Sequence, residues 1–192
     1  MHIKNKPLST NLLNLLISFL PVSIILGNLI ININIILIIF LGIYLFNIEI
    51  FKIEQRNLGY LLYSFFFYLV IVTCVNNYST TNKHFLDTEV IFKSIVYLRF
   101  LFLFLVLNKA VEKNVFNIKY FFVVCAFLSF VLGLDILIQG ITGTNIAGYA
   151  TFQARPSGFF GTEPVAGGYI QKFCLFFIFL LSIFISKFKN KK

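Results

Sequence analysis

Charge is what this chain has least of. Acidic and basic residues make up 12% of its 192 positions, against about 25% in soluble domains. Trp is absent, Pro occurs four times and Cys three times. Cys74, Cys125 and Cys174 are widely spaced, with no CxxC and no Cys/His pattern, so neither a metal centre nor a disulfide framework is indicated. They read as small apolar core residues. No P-loop, dinucleotide fingerprint, HExxH or GxSxG is present, which removes the common signatures of nucleotide, zinc-protease and serine-hydrolase chemistry.

What remains is hydrocarbon. Hydrophobic residues make up 59% of the chain, and the mean hydropathy is +0.90. A water-soluble fold of this size has too little interior to hide that much Leu, Ile and Phe, whereas a bilayer solvates it. Spanning helices need roughly 20 mostly apolar residues. The pattern predicts six, over residues 12–30, 33–51, 58–75, 91–107, 120–138 and 165–185. The runs are continuous rather than alternating, which argues against a transmembrane barrel. The expected fold is therefore all-α: a polytopic transmembrane bundle forming one domain over residues 1–192.

The first span follows Lys4 and Lys6 as a secretory signal does, but no small-residue cleavage site comes after it, so it reads as a retained anchor. Pro21 is expected to kink it. The second span follows at once through Asn28, Asn32 and Asn34, implying a tight hairpin there. With the N-terminus inside, Lys4, Lys6, Lys52, Arg56, Lys109, Lys113, Lys119, Lys187, Lys189, Lys191 and Lys192 fall on the cytoplasmic side, and only Lys83 and Arg155 on the outer side. The positive-inside rule then sets both termini in the cytoplasm. The net charge of +9 reads as attachment to an anionic leaflet, and nucleic acid is not an expected partner.

Ionisable residues inside a membrane are costly and mark function by default. At about 1.5 Å per residue, Lys93 sits at the outer mouth of the fourth span, with Arg99 about 12 Å below that span's start. Lys172 lies roughly 10 Å into the sixth span. Asp135 closes the fifth near the outer surface, and Arg155 and Glu163 belong to the outer loop. These groups share one depth, and the functional reading is an anion site open to the outer face, suited to a pyrophosphate on a lipid carrier. Arginine fits because its planar fork holds two phosphate oxygens. The plainer readings are that Lys93 and Lys172 snorkel to the interface and that Arg99 and Asp135 form one buried pair that fixes helix packing. His84, in another outer loop, reads as an ordinary exposed residue.

Seven of the eleven glycines fall between Gly140 and Gly168. The run DILIQGITGTNIAGY followed by RPSGFFGTEPVAGGYI resembles the middle of the O-antigen ligase and O-antigen polymerase superfamily. There a span ends in a Q-x-x-x-G-x-[DN]-[IL]-x-G-Y phrase, and an Arg-x-Ser-Gly-x-Phe-Gly phrase leads into the next span. Arg155, Ser157, Gly158, Phe160, Gly161 and Glu163 stand at matching positions, and the likeness covers residues 135–170 best. It implies a multi-pass protein of the bacterial inner membrane that moves a glycan from undecaprenyl pyrophosphate to a sugar acceptor at the outer face. It implies no metal and no cofactor. Arg155 and Glu163 are the catalytic candidates it suggests. Arg99, Lys172, Lys93, Ser157, Gly158 and Gly161 are the substrate-binding candidates. Members of that superfamily carry about ten to twelve spans, so this chain resembles an N-terminal half: a fragment, a truncated product, or one part of a split enzyme whose partner chain supplies the rest. A non-catalytic module that binds or transports lipid-linked glycan is the alternative.

Overall fold

The structure is a computed structural model and describes residues 7–53, 56–80, 88–150, 156–161 and 165–189. Six α-helices account for nearly all of it: α1 Pro7–Leu26, α2 Asn28–Phe46, α3 Arg56–Thr80, α4 Thr88–Glu112, α5 Ile118–Thr142 and α6 Ala166–Lys189. Short 3-10 turns lie at Asn47–Phe51 and Gly158–Phe160. No strand forms among the described residues, only an isolated bridge between Thr144 and Ala150. Among the described residues, five helices, α1 to α5, are long and apolar enough to cross a membrane. The protein is thus an all-helical membrane-type chain. Apolar residues on the outside of such helices suit lipid, where each helix satisfies its own backbone.

The expected hairpin between the first two spans needs one correction. The break falls at Gly27, whose φ of +106° suits glycine, and Asn28 already begins α2. Asn32 and Asn34 lie inside that helix. Asn34 is buried, and its Nδ2 donates to the Leu16 carbonyl at 3.2 Å. These asparagines read as turn formers by composition, but Asn34 acts as a link between helices.

Contacts group into two compact units. The first comprises residues 1–13 and 35–116. Its core includes Ile35, Ile38, Phe46, Ile50, Leu105 and Val106. Gly42 of α2 faces Val106 so closely that a Cβ there would lie well inside contact distance of both Val106 methyls. Small residues permit such approach between apolar helices. Gly42→Ala is therefore expected to destabilise the protein by about 1–3 kcal/mol through overpacking, read as an earlier midpoint in an SDS titration followed by circular dichroism. Where the 3-10 turn follows α2, Lys109 is buried, with its Nζ 2.7 and 2.8 Å from the Glu112 carboxylate and 3.2 Å from the Lys52 carbonyl. Lys113 pairs with Glu49 at 2.9 Å. A buried ammonium persists when it is paired and hydrogen-bonded in this way.

The second unit comprises residues 14–34 and 117–192. At one end, the Asn117 amide donates to Asn14 Oδ1 at 2.7 Å, and the Asn117 side chain caps α5 by accepting from the Lys119 amide. At the other end, the Tyr169 hydroxyl of α6 donates to the Pro21 carbonyl of α1 at 3.1 Å. The α1–α2 turn and the α5–α6 loop therefore share one end of this unit. Between α5 and α6 runs an aromatic seam, in which Phe176 meets Phe121 and Phe122 at centroid distances of 5.2 and 5.1 Å and Tyr169 meets Phe173 at 4.5 Å. Cys125 is fully buried in α5, as its reading as a core residue expects.

Candidate functional site

The α5–α6 loop is built on two polar residues of an apolar helix. Asp135 and Gln139 are four residues apart on α5, on one helical face, and both are fully buried. Asp135 Oδ1 accepts from the Ile146 amide at 2.9 Å. Its Oδ2 lies 3.5 Å from Asn145 Nδ2, whose stronger bond is to the Gly158 carbonyl at 2.7 Å. Gln139 Oε1 accepts from the amides of Ser157 and Gly158 at 3.0 and 2.9 Å. Its Nε2 donates to the Tyr149 carbonyl at 3.3 Å.

The loop closes on itself as well. Gly143 ends α5 with φ +81°, its amide donating to the Gln139 carbonyl, an αL cap that glycine favours. Asn145 and Tyr149 are linked twice, by Asn145 N–H to Tyr149 O at 2.9 Å and by Tyr149 N–H to Asn145 Oδ1 at 2.7 Å. Ser157 is buried, and its hydroxyl donates to the Gly161 carbonyl. The outcome is a latch in which both strands of the loop hang from α5.

The latch changes how several residues read. Gln139, expected at the start of the outer loop, belongs to the helix and organises the loop from inside. Asp135, expected as an anion of a charged outer layer or as the partner of Arg99, has its carboxyl engaged by the Ile146 amide and Asn145. Ser157, Gly158 and Gly161, expected to touch substrate, lie in the latch, with Ser157 and Gly158 buried. Arg155 and Glu163, the two catalytic candidates, fall outside the described residues, as does His84.

The remaining cations fall in different units. Lys93 and Arg99 belong to the first. The guanidinium carbon of Arg99 lies 4.9 Å from the Phe100 ring centroid, a cation–π geometry, and its Nε is buried without a hydrogen-bond partner. Lys93 is exposed and lines a cavity of about 320 Å³ with Leu69, Thr73, Val90, Ser94 and Tyr97. Lys172 belongs to the second unit and is exposed on α6.

Beside Lys172 is a larger cavity of about 430 Å³ at the loop end of the second unit. Ile24, Ile25, Gly27 and Asn28 form one side, and Phe159, Phe160, Val165, Gly168, Tyr169 and Phe173 the rest. Sequence reasoning placed Lys172 at this depth but missed the cavity and Tyr169, because rotation about a helix axis leaves no trace in a hydropathy profile. Asp135 and Gln139 did leave a signal: two polar side chains one helical turn apart in an apolar span. Tyr169→Phe removes the bond to Pro21 and is expected to lower stability by about 0.5–1.5 kcal/mol, detectable in the same SDS titration. No protein-family description, curated protein or solved structure matches the chain.

Proposed function

We propose that this protein takes part in surface-polysaccharide assembly as a glycosyl-transfer protein of the bacterial inner membrane, with six spans and both termini cytoplasmic. It acts on undecaprenyl-pyrophosphate-linked glycan at the periplasmic face. One observation carries this reading: eight of the residues in the phrases that resemble the O-antigen ligase and polymerase superfamily also build the latch. Gln139, Gly143, Asn145, Gly148, Tyr149, Ser157, Gly158 and Gly161 all take part in it or supply its positive-φ turns.

The latch gives that phrase a mechanical purpose. Arg155 is two residues from Ser157, at most about 7 Å of extended chain, and the Ser157 amide is tied to Gln139. An arginine at this position would supply a charged donor to a leaving pyrophosphate, and charge stabilisation of that kind is usually the largest single contribution to group transfer. Arg155 would hold the phosphates, and Glu163 would take the proton of the acceptor hydroxyl.

A second reading, a non-catalytic module that binds or transports lipid-linked glycan, is favoured by Asp135. This buried acid of α5 accepts from the Ile146 amide and so serves the fold of the loop. Liposomes carrying the purified chain, undecaprenyl-pyrophosphate-linked glycan and an acceptor separate the two readings. Joined glycan supports transfer. Retention of the carrier with no joined product supports the binding module.

A further inference from the structure

We propose that the cavity at the loop end of the second unit seats the hydrocarbon chain of a lipid phosphate, with the Lys172 ammonium on the phosphate next to that chain. This deepens the reading above and rests on its lipid-linked substrate. Three observations support it. The volume of about 430 Å³ falls within the ~300–1,000 Å³ of small-molecule sites. Aliphatic and aromatic side chains, Ile24, Ile25, Phe160, Tyr169 and Phe173, make up much of the wall, with Asn28 a polar member. Lys172 is the one ionisable amine or carboxylate among the described lining residues, and these suit an apolar chain that ends in an anionic group. Its place also fits: the end of α1 and the start of α6 both line it. Lys172 is exposed, and its stem can follow the apolar wall.

Gly168 provides a clean test. It lines the cavity, and a Cβ placed there meets nothing within 4 Å. Gly168→Leu therefore places its Cβ in open space, extends an isobutyl group from there and raises helix propensity. The probe is a polyprenyl monophosphate carrying a photoreactive diazirine on its first isoprene unit, added to the full chain in nanodiscs. Labelled peptides of the wild-type chain are expected to come from the end of α1 and the start of α6. Gly168→Leu is expected to weaken labelling about tenfold or more by excluding the chain. Lys172→Gln should weaken it about tenfold by removing a charged hydrogen bond, while Lys119→Gln, at the far end of α5, leaves it unchanged. Unlabelled polyprenol should compete poorly, and inorganic phosphate should not compete at lipid-matched concentrations.

Labels scattered over the lipid-facing surface would overturn the proposal, and this arm needs no variant to fold. Equal labelling of wild type and Gly168→Leu would overturn it too. Displacement by inorganic phosphate alone would mark a plain anion site and contradict a lipid seat. The probe carries no glycan, so the proposal fails separately from the transfer reading. Cavity labelling without glycan joining sinks transfer alone, and joining with unaltered labelling in Gly168→Leu sinks the cavity alone.

Discussion

Gly158→Val is expected to lower stability by about 2–5 kcal/mol, combining left-handed backbone strain with overpacking. Gly158 has φ +57°, and a Cβ on it would lie 2.8 Å from Leu132 Cδ1 and 3.3 Å from Asp135 Oδ2. Leu132 is fully buried, so its displaced methyl would have to repack inside the α5 core. The new side chain would push against both the α5 core and the carboxyl that holds the Ile146 amide. Gly143 makes the natural comparison. It also has a positive φ, +81°, but a Cβ there meets nothing within 4 Å. Gly143→Val therefore carries backbone strain alone, about 1–2 kcal/mol. The SDS midpoint should fall much further for Gly158→Val than for Gly143→Val. Hydrogen exchange at the Ser157 amide should accelerate in the former, since its bond to Gln139 Oε1 is lost with the latch. Equal effects at the two glycines would show that the latch does not pack as described.

Arg155→Ala is expected to lower surface polysaccharide in a complementing cell by about 10²–10³-fold, the usual loss when one fixed donor to developing charge is removed. The latch bonds among the described residues run through Ser157, Gly158 and Asn145, and the SDS midpoint of the variant is the control that separates lost chemistry from lost fold. Arg155→Lys should recover little. An ammonium is a point charge on a flexible stem, while a guanidinium grips two phosphate oxygens at once. Normal polysaccharide in Arg155→Ala cells would remove the arginine from the chemistry.

The membrane class and the approximate helix ranges were legible in the sequence, because a span is written in twenty neighbouring residues. The helix junctions were less so. The α1–α2 turn was expected at a cluster of asparagines, yet it sits at Gly27, since backbone conformation governs a break more than polarity does. Asp135 was legible as unusual but not as a latch residue. Its partner amide belongs to Ile146, eleven positions away, and burial of a carboxyl against backbone N–H groups depends on a loop path that composition does not encode. Ser157 and Gly158 illustrate the same point. The resemblance marked them as substrate contacts, and the structure adds that their amides are held by Gln139 Oε1. The cavity beside Lys172 was not legible at all, because Ile24 and Phe173 are separated by most of the chain and meet only through tertiary packing.

The central claim is that the chain recognises the pyrophosphate of a lipid carrier through Arg155. Native mass spectrometry of the full chain, competing undecaprenyl pyrophosphate against undecaprenyl monophosphate, tests it most directly. A clear preference for the pyrophosphate that disappears in Arg155→Ala is the expected result; equal retention of the two lipids by the unaltered protein contradicts it.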